Sequence, residues 1–218
     1  MLKRIWGLGL LGVALLATSW MTAGCEEEEV ESAVQKPSSE IIEEGSWLEG
    51  HNLDEEITSV IEIEGMEEEL KKEVVISENY PYAIYLSKGD YQFIENDNYD
   101  RIIPSGLNQI DNVYMDLWIE ESKEAENKAE EIVSQLQEEY SEVSLPEEVD
   151  SPLPSWMIYG FGNDLFERYY IVDDWNGGSL IIRQLMVEEA QEGHGTRWNH
   201  SLQHLYLWNP ETNEFQKP

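Results

Sequence analysis

Strict alternation of apolar and polar residues is the feature that most constrains how this chain can fold. In residues 113–119 (VYMDLWI) every second side chain is aliphatic, which leaves Tyr114, Asp116 and Trp118 on the opposite side. Because successive side chains of a β-strand point to opposite faces of a sheet, this segment is predicted to be a strand with one buried face. Other segments with strand character are residues 58–64, 73–77, 82–86 and 91–94. The first half of the chain is therefore predicted to build a sheet.

One long helix is predicted to follow residues 113–119. Ser122 is a typical N-cap residue, and apolar residues then recur with the helical period as far as Tyr140. The apolar stripe consists of Ala125, Ala129, Ile132, Val133, Leu136 and Tyr140. We expect the helix to lie across the sheet and to bury this stripe against it.

The C-terminal third is predicted to add strands and a short helix. The expected strands are residues 155–161, 166–173 and 179–187, the last two joined by a tight Asn-Gly turn. A short helix interrupted by glycines within residues 188–203 precedes a closing edge strand at 205–208, and residues 96–112 and 145–154 are expected to be loops. These elements predict an α+β fold, a mostly antiparallel β-sheet with one long central helix and a short C-terminal helix.

The N-terminal residues have the pattern of an export signal. A basic start precedes an uncharged apolar run at residues 5–21, which is the order of a secretory signal peptide. Next comes Thr-Ala-Gly-Cys, residues 22–25, which contains the only cysteine and resembles the lipobox of bacterial lipoproteins. The resemblance implies that residues 1–24 are removed and that Cys25 carries acyl chains, which hold the protein on the extracytoplasmic face of the cell membrane. An uncleaved anchor and an ordinary secreted protein are the alternatives.

Acidic residues dominate the rest of the chain. The sequence has 46 Asp and Glu against 13 Lys and Arg, a formal net charge of −33. Nucleic acid and anionic membrane surfaces repel such a chain, because binding to either depends on clustered basic residues. Residues 25–52 lack a sustained apolar period and are predicted to be an acidic, disordered tether. Residues 53–218 have the length of a single domain.

Three histidines near the C-terminus form a candidate metal site. His200 and His204 are four residues apart and would share one face of a helix, with His194 nearby. A hydrolytic His-Glu-x-x-His motif is not formed, because Ser201 follows His200. We therefore predict no bound metal or other cofactor, and keep metal binding by His194, His200 and His204 as an alternative.

A second candidate site lies on the polar side of residues 113–119. Tyr114 and Trp118 flank Asp116 there, and Tyr and Trp are typical of protein interfaces and sugar-binding surfaces. Arg168 and Arg183 fall in neighbouring strands and would form an anion-binding pair if they shared a face, with salt bridges to nearby carboxylates as the alternative. The predicted partner-binding residues are Tyr114, Asp116, Trp118, Arg168 and Arg183, unless the short helix and the loops cover this face.

Two short motifs carry a family resemblance. Glu-Gly-Met-Glu-Glu at residues 64–68 follows the first strand, and Glu-Gly-His-Gly-Thr-Arg at residues 192–197 precedes the last. With the lipobox and the acidic tether, they resemble a group of uncharacterised lipoproteins of Gram-positive, spore-forming bacteria. The order of elements is similar to that of PsbP-like and DcrB-like domains, which are α+β sheets that serve as accessory or binding modules. The resemblance implies a binding role and assigns no catalytic residue.

The sequence therefore predicts a lipid-anchored accessory or binding protein without catalytic activity. No catalytic residue is expected, because the chain has neither a Gly-x-Ser-x-Gly nucleophile motif nor a glycine-rich phosphate loop. Its expected partners are the membrane, through lipidated Cys25, and a protein or a cell-envelope component, but not nucleic acid. The alternatives are a metal-binding protein or metal-dependent enzyme using the C-terminal histidines, and a passive structural component of the envelope.

Overall fold

The structure, a computed structural model, describes residues 46–48, 51–63, 65–106, 111–121, 124–173 and 178–218. All of them belong to one compact unit, Ile41–Pro218. The predicted signal peptide, Cys25, most of the predicted tether, the N-cap Ser122 and the Asn-Gly turn lie outside the described residues. Within the described ranges, no helix combines the length and the apolar character needed to cross a membrane.

The described residues form an α+β fold with antiparallel sheets, which confirms the predicted class. The strands are divided between two sheets, whereas a single sheet was predicted from the sequence. In spatial order, the five-stranded sheet contains β1 (Glu56–Ile63), β2 (Met66–Ile76), β3 (Tyr82–Ser87), β12 (Leu205–Asn209) and β13 (Glu214–Gln216). The eight-stranded sheet contains β4 (Tyr91–Glu95), β5 (Asp100–Pro104), β6 (Tyr114–Glu120), β11 (Ser179–Val187), β10 (Leu165–Asp173), β9 (Ser155–Gly162) and β7 (Glu142–Val143), with β8 (Glu147–Val149) also paired to β9.

The main core lies between the two sheets. It combines inward side chains of β3 with those of β6, β10 and β11, and includes Trp198 and Leu202 of the short helix α2 (Thr196–Leu202). On β6, Met115 and Leu117 are fully buried in this core, as the alternation in residues 113–119 predicts. The polar side of β6 therefore faces away from the five-stranded sheet.

The long helix α1 (Ala125–Glu139) covers part of that outward face. Its stripe packs on Ile158, Ile171 and Ile181, one residue from each of β9, β10 and β11. The buried residues of the helix include Ala125, Ala129, Ile132 and Leu136, which confirms the predicted stripe. The short helix does not cover this face, as the alternative had it, because α2 packs into the core between the sheets.

Two strands were not predicted at their full extent, because charged residues interrupt their apolar periodicity. β2 begins at Met66 instead of residue 73, since its acidic first half pairs with β1 along the whole register. β5 occupies part of the predicted loop 96–112. It contains a buried carboxylate, Asp100, which accepts hydrogen bonds from Ser77 Oγ (2.5 Å) and Tyr82 OH (2.7 Å). These strands are stabilised by pairing and by buried polar contacts rather than by an alternating pattern.

The structure also corrects two boundaries. β12 is not an edge strand, because β13 pairs with it on the side away from β3. Trp47, placed in the predicted tether, is only 7% exposed and packs with Ala83, Trp208 and Phe215. Its indole Nε1 donates a hydrogen bond to the Ser77 carbonyl (2.8 Å). The folded region therefore begins before residue 53.

Candidate functional site

A row of charged and aromatic side chains crosses the outward face of the eight-stranded sheet beside α1. The strand register places Arg101 of β5 opposite Asp116, Asp116 opposite Arg183 of β11, and Arg183 opposite Tyr169 of β10. Directly opposed residues of antiparallel strands have side chains on the same face. Four strands thus contribute one residue each to a continuous polar row.

The Arg101–Asp116 pair is the most regular contact of this row. Arg101 Nε donates to Asp116 Oδ1 (2.6 Å), and Arg101 Nη2 donates to Asp116 Oδ2 (2.8 Å). Asp116 is only 4% exposed, and Arg183 Nη1 lies 4.0 Å from its second oxygen. A two-point guanidinium–carboxylate contact fixes both side chains in orientation as well as in position.

Glu167, two residues from Tyr169 on the same face, completes the network. It is 2% exposed and accepts hydrogen bonds from Arg183 Nε (2.5 Å), Tyr169 OH (2.7 Å) and Tyr140 OH (2.5 Å). Tyr140 follows directly after α1, so this carboxylate connects the end of the helix to the sheet. The Tyr140 ring packs closely on Gly160. A Cβ atom at position 160 would lie 2.8 Å from a carbon of this ring, so the position requires glycine.

Burial and charge reinforce the network electrostatically. Burial and the Glu167 carboxylate raise the pKa of Tyr169, and burial and the same hydrogen-bonded carboxylate raise the pKa of Tyr140. The pKa of Arg101 is raised by its hydrogen bonds to Asp116. Both phenols are therefore neutral donors and Arg101 is a cation under physiological conditions. The two arginines and the two carboxylates balance in charge.

Aromatic rings border this network and form a shallow cleft of about 300 Å³. The residues lining the cleft are Asn98, Tyr99, Arg101, Asp116, Trp118, Tyr169 and Arg183. Arg101 stacks between two rings, with its Cζ 3.9 Å from the Tyr114 ring centroid and 5.0 Å from that of Tyr99. Trp118 packs against the cluster beneath α1 and stands between the helix and the cleft. The cleft therefore presents rigid planar surfaces beside oriented polar groups.

Four of the five predicted partner-binding residues meet at this place, and Arg168 does not. Tyr114, Asp116, Trp118 and Arg183 share the outward face, whereas Arg168 points to the other face. There its guanidinium lies 4.7 Å from the Phe166 ring centroid and donates to Tyr170 OH (3.2 Å). The register pairs Arg168 with Gln184 and Arg183 with Tyr169, so the arginines occupy positions of opposite parity. The shared face on which an anion-binding pair depended is therefore absent for these two residues, and Arg183 forms a salt bridge to Glu167 instead.

The cleft and the network beside it also contain residues that were not predicted to be site residues. Arg101 and Tyr99 were assigned to a loop, and Glu167 and Tyr169 were not singled out. Glu167 carried a usable signal, because an acidic residue within a mostly apolar and aromatic strand is rarely buried without a partner. Arg101 carried none, because its role depends on the pairing of β5 with β6.

The three C-terminal histidines do not converge on one point. The His194 Nδ1 atom lies 3.1 Å from Tyr91 OH, and its ring packs beside Trp198. His200 and His204 do approach each other, with ring centroids 5.4 Å apart, but Lys72 and Lys217 are their charged neighbours. Among the described residues no three His, Cys, Asp or Glu side chains are arranged to hold a metal ion. Two lysines beside the His200–His204 pair would repel a cation.

Comparison with protein-family models, with curated proteins and with solved structures found no match for this chain.

Proposed function

We propose that this protein is a lipid-anchored, extracytoplasmic accessory or binding protein without catalytic activity, and that the cleft beside α1 engages a protein or cell-envelope partner. The cleft itself carries the proposal, because it brings together three aromatic rings and two oriented arginines from strands distant in sequence. The lipobox-like sequence at residues 22–25 supplies the anchor in this proposal.

The chemistry of the cleft supports recognition more than reaction. Arg101, Arg183, Tyr140 and Tyr169 already occupy the carboxylate oxygens of Asp116 and Glu167. Carboxylates held in this way orient neighbouring donors but are poor proton acceptors for a substrate. Rings held by packing lose little conformational entropy when a partner binds, which favours affinity.

The paired charges favour a partner that is not strongly anionic. The two arginines are neutralised by two carboxylates, and the protein as a whole carries a formal net charge of −33. A polar partner with flat apolar faces, such as a glycan of the envelope or an aromatic protein surface, matches rings bordered by guanidinium N–H groups.

A site-specific crosslinking experiment tests this proposal. A photoreactive residue at position 98, which lines the cleft, is expected to form one reproducible adduct in the native cells. Trp118→Ala should abolish the adduct, because it removes the wall between the cleft and the helix. Mass spectrometry of the adduct separates a protein partner from a glycan.

Two matched controls make the result decisive. Tyr159 is an exposed aromatic residue (38%) on the opposite face of β9, and Tyr159→Ala should leave the adduct unchanged. A photoreactive residue at the exposed Leu145 (78%) should not give the same adduct. Identical adducts from positions 98 and 145, or an adduct that survives Trp118→Ala, would contradict the cleft as the binding surface. Loss of metabolic acyl labelling in Cys25→Ala tests the anchor separately.

A further inference from the structure

A cluster of four basic side chains lies where the end of α2 meets β2 and the C-terminal residues, and it has no part in the cleft. Lys72 of β2 is fully buried, and its Nζ donates to the His200 carbonyl (3.1 Å). The rings of His200 and His204 are in contact, and His204 also packs against Tyr85. Lys217 reaches the same region, with its Nζ 4.6 Å from the centroid of Tyr206, which itself packs on Tyr85. Four of the few basic residues of an acidic chain thus share one small region.

Among the described residues, no carboxylate is paired with these basic groups. Lys72 forms no ion pair within the described residues, although acidic residues outnumber basic ones more than threefold in the sequence. Burial and the charge of Lys217 lower the pKa of Lys72 to about 8. Burial and the charges of Lys72, Lys217 and His200 lower the pKa of His204 to about 4. The neighbouring positive charges therefore disfavour the charged forms of Lys72 and His204, and no carboxylate among the described residues offsets this cost.

Two buried polar atoms in the same region also lack hydrogen-bond partners among the described residues. Ser87 lies directly opposite Lys72 in the register of β2 and β3, so both side chains share one face. Ser87 is 3% exposed, and its Oγ has no hydrogen-bond partner among the described residues. The Nε2 atom of His200 is buried and lacks a partner in the same sense. Buried polar groups are normally paired. Two unpaired atoms beside an ammonium whose one hydrogen bond among the described residues goes to the His200 carbonyl therefore point to a ligand that accepts hydrogen bonds.

We propose that Lys72, His200, His204 and Lys217 form a binding site for a small oxyanion, a carboxylate or a phosphate, with the Lys72 ammonium as the innermost donor. Lys217 is exposed and the two histidines are partly exposed, so these flexible side chains line the approach to Lys72. An oxyanion supplies the missing negative charge and accepts hydrogen bonds from Lys72 Nζ, from Ser87 Oγ and, when the proton of His200 is on Nε2, from that atom. The pair His200 and His204, which has the spacing of metal ligands, thus helps to bind an anion here, because the two neighbouring lysines make the site attract anions and repel cations. This inference does not depend on the proposed partner cleft.

The test measures stabilisation of the full chain, purified in detergent, by inorganic phosphate. At pH 6.5 and constant ionic strength, replacing chloride with phosphate should raise the unfolding midpoint Tm by roughly 3 °C. At pH 10 the increase should disappear, because Lys72 is then deprotonated. Acetate in place of phosphate distinguishes a site for carboxylates from one for phosphates.

Variants separate this site from a general effect of phosphate. Lys72→Met keeps the length of the side chain without its charge and should abolish the increase in Tm. Lys88→Gln is the matched control, since Lys88 is an exposed lysine of the same sheet region whose partner is Glu56, and it should respond like the wild type. In 15N-lysine-labelled protein, phosphate should shift the Lys72 Nζ resonance. An equal rise in Lys72→Met, or no rise in the wild type, would overturn the proposal.

Discussion

The two sheets each carry a buried cluster of charges, and the clusters differ in how the charges are balanced. On the eight-stranded sheet, Arg101 and Arg183 have Asp116 and Glu167 as hydrogen-bonded partners. On the five-stranded sheet, Lys72 lies beside Lys217, His200 and His204 and has no carboxylate among the described residues. The first cluster stabilises a fixed surface, whereas the second lowers stability until a proton is lost or an anion binds.

This difference follows from how each cluster is built. The arginine–carboxylate row lies on adjacent strands, where the register aligns opposite charges across each pair. The lysine–histidine cluster combines β2 with α2 and the C-terminal residues, which no ladder aligns. Removing one partner of a buried ion pair lowers the stability of the fold, because the other charge is left unpaired. A buried charge that has no partner lowers stability from the start, because its desolvation is not compensated. Three substitutions test this contrast.

The largest effect is expected for Glu167→Gln. The neutral amide cannot balance Arg183, and it replaces an acceptor of three hydrogen bonds with a group that is half donor. We expect the free energy of unfolding to fall by about 3 kcal/mol, measured by urea denaturation at pH 7. Glu130→Gln, on the exposed side of α1, is the control and should change it by less than about 0.5 kcal/mol. A loss of equal size in both variants would show that the network contributes nothing specific.

The second effect has the opposite sign and concerns Lys72→Met. The unfolded lysine keeps its proton to about pH 10.5, whereas the folded one releases it near pH 8. The unfolded state therefore binds more protons between these values, and stability rises with pH across that window. Below pH 8 the folded protein contains the fully protonated, buried Lys72. Lys72→Met should therefore add about 2 kcal/mol to the free energy of unfolding at pH 7. It should also remove the rise of stability with pH above pH 8.

Lys128→Met provides the matched control for this substitution. Lys128 of α1 is also largely buried (8% exposed), but its Nζ lies 2.6 Å from Glu120 Oε2 and 3.2 Å from Glu131 Oε1. Loss of a partnered lysine should lower stability or leave it unchanged. A gain for Lys128→Met equal to that for Lys72→Met would remove the distinction between the two kinds of buried lysine.

The smallest effect is expected for His204→Gln and appears only in acid. In the folded state the pKa of His204 is lowered to about 4 from its usual value of 6.5. As the pH falls through this window, the unfolded state binds the proton before the folded state does, so stability is lost. Comparing unfolding at pH 7 and pH 4.5, we expect the variant to lose about 1 kcal/mol less than the wild type, because half-exposed charges are screened. The difference should shrink in a Lys72→Met background, which removes one of the neighbouring charges. An unchanged difference there would show that Lys72 does not act on His204.

Particular elements show how far the sequence could be interpreted. Residues 113–119 and the stripe of α1 were predicted correctly because each follows the period of its own secondary structure. β5 was not predicted because it contains the buried carboxylate Asp100. The hydrogen-bond partners of Asp100 are Ser77 and Tyr82, which lie outside its own segment and leave no mark on the local sequence pattern. For the candidate cleft, alternation placed Tyr114, Asp116 and Trp118 on one face, but it could not place Arg183 there and Arg168 on the other.

By itself, the sequence determined the fold class, the long helix and its buried stripe, and which residues of β6 face the core, because these depend on local periodicity and propensity. Only the tertiary structure decided that the strands divide into two sheets, that Arg101 lines the cleft while Glu167 holds Arg183, and that two lysines lie beside His200 and His204. The physical reason is that strand register and the packing of α2 join residues far apart in the chain. The charge that surrounds a side chain is set by those distant neighbours and not by its own segment.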